Sequence, residues 1–158
     1  MKSWTVTALP VAHPDAALLI ERYFFDIIGR YHGRPATHDE VHGHMKVEPS
    51  DDLPLFVVAY ADGVPSGCVG MRLLTPEVGE LTRMFVEPEV RGNGVGAMLI
   101  AEVERHARLL GVTAIRLDTR SDLVEARGLY AKLGYAEVPA YNDSMYAEHW
   151  FEKHLAHD

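Results

Sequence analysis

The stretch Arg91-Gly92-Asn93-Gly94-Val95-Gly96-Ala97 constrains this chain more than any other. It joins a run with strand character, Glu80 to Val86, to a run with helical spacing, Gly94 to Leu110. Glycines at such a junction let the main chain approach a bulky anion without Cβ clashes. The free N–H groups at the start of the helix point toward that anion, and the helix dipole adds to the attraction. Arg91 supplies a donor that can fork onto phosphate oxygens. A turn that only closes a corner needs neither three glycines nor an arginine. The sequence therefore implies a phosphate-bearing ligand cradled by backbone.

Two familiar phosphate motifs fit poorly. Gly92-x-Gly94-x-x-Ala97 matches the dinucleotide fingerprint, and Asp118 lies near the distance expected of a ribose ligand. In that fold, however, the strand runs almost directly into the first glycine, whereas Glu87-Pro88-Glu89-Val90-Arg91 intervenes here. Only 40 residues follow Asp118, too few for a doubly wound sheet. These features disfavour a nicotinamide-dependent oxidoreductase. No Gly-Lys-Ser/Thr follows the turn, so a triphosphate P-loop is absent.

The rest of the chain supplies the frame. Trp4 to Leu9 alternates as a first strand, and Pro14-Asp15 opens a helix carrying Ala17, Ile20, Phe24, Ile27, Ile28 and Tyr31 at helical spacing. Gly33-Arg34-Pro35 ends that helix, and Thr37 with Glu40 forms a capping box for a second. Leu55 to Tyr60 and Cys68 to Leu74 read as a hairpin joined through Asp62-Gly63 to Gly67. Val95, Leu99, Val103, Ala107 and Leu110 form the stripe of the helix after the glycine turn, which stops at Gly111. Ala114 to Asp118 is a strand. Asp122 and Glu125 cap a helix through Leu133, and strands follow at Ala136–Val138 and His149–Glu152. The order β, α, α, β-β-β, α, β, α, β-β predicts an α/β (α+β mixed) fold of residues 1–158 as one domain. Its central sheet is mixed and mostly antiparallel, with helices on both faces and one parallel crossover.

With that frame in place, Leu81-Thr82-Arg83-Met84-Phe85-Val86-Glu87-Pro88-Glu89-Val90-Arg91-Gly92-Asn93-Gly94-Val95-Gly96 is similar to the core motif of the GNAT superfamily of N-acetyltransferases. That motif is a strand, a short connection, then Arg/Gln-x-x-Gly-x-Gly/Ala opening a helix. Ala126-Arg127-Gly128-Leu129-Tyr130-Ala131-Lys132-Leu133-Gly134-Tyr135 resembles the superfamily's later helix and the strand after it. The resemblance implies acetyl-CoA as cosubstrate and a primary amine, of a small molecule, as acceptor. It implies that the pyrophosphate sits on Arg91, Gly92, Asn93, Gly94, Val95, Gly96 and Ala97, and that the pantetheine arm pairs with the backbone of Met84, Phe85 and Val86. It also implies direct transfer, with Glu80 as candidate general base and Tyr130 as candidate general acid toward the coenzyme sulfur. Leu123 departs from the asparagine often found there, so a side-chain contact to the coenzyme is lost or passes to Asp122 or Arg127. GNAT proteins are often dimers, so the resemblance allows a homodimer, while the sequence itself does not set the oligomeric state. A non-catalytic acyl-CoA-binding regulatory module is the alternative, and the presence of both Glu80 and Tyr130 favours the enzyme.

Charge narrows the partners. A formal net charge of -8 argues against nucleic acid and leaves room for a cationic amine. No run is long and apolar enough for a membrane span, the N-terminus lacks a secretory signal, and the single cysteine, Cys68, sits in an apolar run as buried filler. A cytoplasmic protein is expected. His38, His42 and His44 share one short segment, but Asp39 stands where a zinc-protease glutamate would be, and no metal is expected. Tyr31 to Pro35 and Tyr141 to Tyr146 flank the expected acceptor pocket, with Arg34 as partner for a substrate carboxylate and Asp143 or Glu80 for its cation.

Overall fold

The computed structural model describes residues 2–156. Seven strands form one sheet in the order β1-β2-β3-β4-β5-β7-β6. They are β1 (Trp4–Ala8), β2 (Leu55–Ala61), β3 (Val64–Thr75), β4 (Val78–Val86), β5 (Ala114–Thr119), β6 (Ala136–Val138) and β7 (His149–His154). The helices are α1 (Pro14–His32), α2 (His38–Val47), α3 (Val95–Leu109) and α4 (Val124–Lys132). Every strand pair is antiparallel except β4 with β5. The mixed, mostly antiparallel sheet predicted from the element order is the one observed.

Period-2 alternation divides the core between the two faces. In β2, Leu55, Val57 and Ala59 pack with Val95, Leu99 and Val103 of α3. Phe56 and Val58 point the other way, toward Leu19, Phe24 and Ile28 of α1 and Val41 of α2. Phe24 is fully buried, and truncating it to alanine would cost about 3–5 kcal/mol. Both elements of the α2 capping box are present, with Glu40 N–H on Thr37 Oγ1 (3.1 Å) and Thr37 N–H on Glu40 Oε1 (2.9 Å).

Three local expectations change. The β2–β3 turn is only Asp62-Gly63, both at positive φ (49° and 81°), because Ala61 already pairs with Val64. That geometry suits the right-handed twist of a two-residue hairpin. Asp122 does not cap α4: its carboxylate takes both bonds from Arg120 (2.9 and 2.9 Å), and Leu123 occupies the cap without a side-chain bond. A bidentate charged partner outcompetes a neutral N–H. Leu110 is exposed, since α3 has ended and Val112 N–H turns back to Ala107 O (2.9 Å), burying Val112 in its place.

Two irregularities open the sheet at its centre. The strands β4 and β5 pair only from Val78 to Glu80 against Ala114 to Arg116, and diverge beyond. Opposite β3, the register shifts between Cys68–Phe85 and Gly70–Thr82, so β4 carries one extra residue. Arg83 sits in that bulge at φ 59°, a conformation that L-residues adopt rarely. Among the described residues, no helix is long and apolar enough to cross a membrane.

Candidate active site

The splay between β4 and β5 holds two adjoining cavities. The smaller, of 260 Å³, is lined by Met84, Phe85 and Val86 of β4 and by Arg91, Gly92, Gly94, Val95, Gly96 and Ala97 of the glycine turn. All the residues predicted to hold the coenzyme therefore lie along one wall except Asn93, whose side chain turns away to donate to Val90 O (2.8 Å). Gly92 and Gly94 have φ of 87° and 74°, which explains glycine at both. Gly96 serves packing, since a Cβ there would stand 2.5 Å from Leu129 Cδ2 of α4. Among the described residues, the N–H groups of Gly92 through Ala97 donate to no protein acceptor, and the first bond of α3 runs from Met98 N–H to Gly94 O (3.1 Å). Arg91 braces the turn through Nε on Val86 O (2.9 Å). Consecutive free donors at a helix start, with a braced arginine beside them, fit a phosphate group.

The larger cavity has a volume of 530 Å³ and shares Ile27, Met84, Leu123 and Ala126 with the smaller, so the two form one groove. Tyr130 of α4 lines it; the residue is only 5% exposed, and among the described residues its hydroxyl makes no hydrogen bond. Burial, and secondarily Tyr23 and Asp118, push its phenol well above the ordinary range, so it stays protonated at any working pH. The Tyr23 phenol, also on the wall, is pushed up to about 12 by burial.

Glu80 is placed differently from Tyr130. It lines neither cavity. Its Oε2 accepts from the Tyr141 hydroxyl (2.7 Å), and its Oε1 lies 3.5 Å from Arg72, which does line the larger cavity. Burial and the Glu80 hydrogen bond raise the Tyr141 phenol far above its usual value, so the Tyr141 proton is fixed toward Glu80. Arg83, 5% exposed, spends its guanidinium on neutral oxygens: Ser50 Oγ (3.1 Å), Thr82 Oγ1 (2.8 Å) and Glu48 O (3.0 Å), with Phe24 beneath it at 4.9 Å. It ties the bulge to the segment after α2, whose Glu48, Pro49 and Asp52 line the larger cavity.

Other predicted residues separate cleanly. Arg34 is not at the cavity; it forks onto Glu40 (2.9 and 2.9 Å), because a carboxylate already held by the capping box is a ready bidentate partner. Asp143 also lies off the wall, whereas Tyr31, His32, Ser144 and Tyr146 are on it. Neither Asp122 nor Arg127 reaches a cavity, and Leu123 itself lines both. Cys68 is buried, with its thiol pushed up by burial and donating to Arg83 O (3.2 Å), as filler would be. His38 and His42 face Phe25 and Glu21, while His44 faces Tyr146. Among the described residues, no three His, Cys, Asp or Glu side chains cluster for a metal. Sequence reasoning did not place Tyr23 or Arg72 on the wall, and Asp118, set aside together with the dinucleotide fingerprint, lines it as well.

Comparison with known proteins agrees with this geometry. The family model described as Acetyltransferase (GNAT) family matches residues 19–135. The chain is 36% identical over 83 residues to the IAA acetyltransferase of Azospirillum brasilense, covering 52% of this chain and 54% of that protein, so it spans about half of that relative. It is 26% identical over 140 residues to an uncharacterized N-acetyltransferase of Schizosaccharomyces pombe, covering 88% and 85%. Among solved structures, a GNAT-family acetyltransferase of Staphylococcus aureus superposes with a TM-score of 0.74 at 14% identity, covering 96% of this chain and 100% of that one. The PaiA N-acetyltransferase of Thermoplasma acidophilum, solved in complex with coenzyme A, gives 0.72 at 19% identity, covering 95% and 99%.

Proposed function

The chain belongs to the acetyltransferase (GNAT) family, and from that premise we propose that it transfers an acetyl group from acetyl-CoA to the primary amine of a small molecule. The observation that carries this reading is the run of unpartnered N–H groups from Gly92 to Ala97, opening onto the same groove as Tyr130. The pyrophosphate takes those donors, and the linear amide-bearing arm adds to the exposed edge of β4 at Met84 to Val86 as an extra strand would. The acceptor occupies the larger cavity.

The chemistry then divides among the residues. The ammonium must lose a proton before its nitrogen can attack the thioester carbon. Glu80, the proposed base, stands behind Arg72 and Tyr141, so it takes that proton through a water rather than by direct contact. As the carbon–sulfur bond breaks, the sulfur gains a proton. Tyr130 is the proposed donor. Because its phenol is a weaker acid than a thiol, it passes a proton on only as it recovers one from the nitrogen that becomes the amide. No covalent enzyme intermediate is needed, in keeping with the inert setting of Cys68. A cytoplasmic location suits a protein using acetyl-CoA.

A thermal-shift comparison of acetyl-CoA, coenzyme A, NAD and NADP tests the reading. A ligand at about a hundred times its dissociation constant adds about 2.7 kcal/mol, a shift of several degrees for a chain of this size. Shifts with the two coenzyme A ligands alone are expected. A shift with NAD or NADP alone would overturn the proposal.

A further inference from the structure

The acyl-transfer reading leaves open what the larger cavity recognises, and the balance of charge along its wall answers in part. Three arginines line it, and each already has its partners. Arg72 faces Glu80 at 3.5 Å and Asp52 at 3.4 Å. Arg120 is forked by Asp122 and stacked against Tyr31. Arg83 is bound to Ser50, Thr82 and the Glu48 carbonyl. None of them is left as a ready fork for a substrate carboxylate or phosphate.

Asp118 is the opposite case. It lies at the end of β5 on the cavity wall, and among the described residues no basic side chain pairs with it. Its orientation is nevertheless fixed. Oδ2 accepts from Asn142 Nδ2 (2.8 Å). Asn142 cannot flip, because its Oδ1 accepts from both Trp150 Nε1 (3.0 Å) and Ser144 N–H (3.2 Å). The sheet register sets this up, since Asp118 pairs directly with Trp150 of β7. A carboxylate aimed by a neutral amide, and not by a cation, leaves Oδ1 for a ligand. The rings of Tyr23, Tyr31 and Tyr146 on the same wall add faces that attract a cation.

We propose that Asp118 receives the acceptor's ammonium group, so that the acceptors of this enzyme are small primary amines bound as cations and lacking a carboxylate. The proposal rests on the acyl-transfer reading and specifies its acceptor.

The test is a calorimetric titration of the coenzyme A-loaded protein with benzylamine, a cation at neutral pH, and with aniline, which is neutral there. The wild type is expected to bind benzylamine at least about ten-fold more tightly than aniline. In Asp118→Asn, benzylamine binding should fall about ten- to hundred-fold while aniline binding and the coenzyme A affinity hold. Asp118→Ser is the second variant should the first be unstable. Benzylamine bound as tightly by the variant as by the wild type, or no preference for benzylamine in the wild type, would overturn the assignment. Failure of the wild type to bind coenzyme A at all would instead overturn the acyl-transfer reading beneath it.

Discussion

The two halves of the groove are built from different material. The smaller cavity is walled chiefly by backbone that is contiguous in sequence, Met84 to Val86 and Arg91 to Ala97. The larger one shares β4 but adds residues from α1, α2, the α2–β2 loop, β3, β5, the turn after it, α4 and the loop before β7. A backbone cradle recognises a phosphate-bearing arm whatever side chains surround it, whereas a wall assembled from distant segments can be altered one residue at a time. The first suits a ligand common to a whole family and the second a ligand particular to this protein.

Substitutions can separate the halves. The largest effect belongs to Tyr130→Phe, on the wall of the larger cavity: kcat should fall about a hundred-fold or more, with acetyl-CoA affinity nearly unchanged. An unaltered kcat, measured by thiol release, would remove Tyr130 from the chemistry. Gly94→Ala comes next. At φ 74° a Cβ costs about 1–2 kcal/mol, so acetyl-CoA affinity should weaken roughly ten-fold while the KM for the amine holds. If amine KM moved instead, the division between the halves would be wrong. Glu80→Gln should lower kcat about ten-fold with both binding constants retained, a modest loss for a base acting through water.

The smallest effects lie outside the groove. Arg34→Ala should leave both substrates' kinetics unchanged, since its guanidinium is bound to Glu40. Its signature is in acid unfolding. The Arg34 hydrogen bond first, and the Thr37 backbone next, hold the Glu40 carboxyl down at about 2, against an ordinary 4.5. A depressed value means the stabilisation is complete above about 4.5 and is lost as pH falls toward about 2. Melting curves across that window should show a shallower acid decline in Arg34→Ala than in wild type, and identical declines would contradict the pairing.

The same contrast explains what the sequence disclosed. The glycine turn was legible because its requirement is conformational and local: positive φ at Gly92 and Gly94, then a helix. The stripe of α3 was legible apart from Leu110, because 3.6-residue spacing reports a buried face, whereas that of α1 was legible only around Ile20, Phe24 and Ile28: Ala17 and Tyr31 are exposed, and Ala16 and Leu19 are buried. The acceptor wall was not legible in this way. Arg34 and Asp122 have partners that spacing does not encode, and both expectations for them failed once a bidentate ion pair was available. Arg83 adopts a left-handed bulge without being glycine, held there by partners 33 and 35 residues away. Asp118 carried an ambiguous signal: the distance suited to a ribose ligand, rejected with the dinucleotide reading, is also the distance from the glycine turn to the end of the neighbouring parallel strand, where Asp118 lines the larger cavity.

The most direct test of the account is a crystal structure of the protein with coenzyme A. It predicts pyrophosphate oxygens within hydrogen-bonding distance of the N–H groups between Gly92 and Ala97, and the coenzyme sulfur beside the Tyr130 hydroxyl. A coenzyme bound away from the glycine turn, or with its sulfur far from Tyr130, would contradict it.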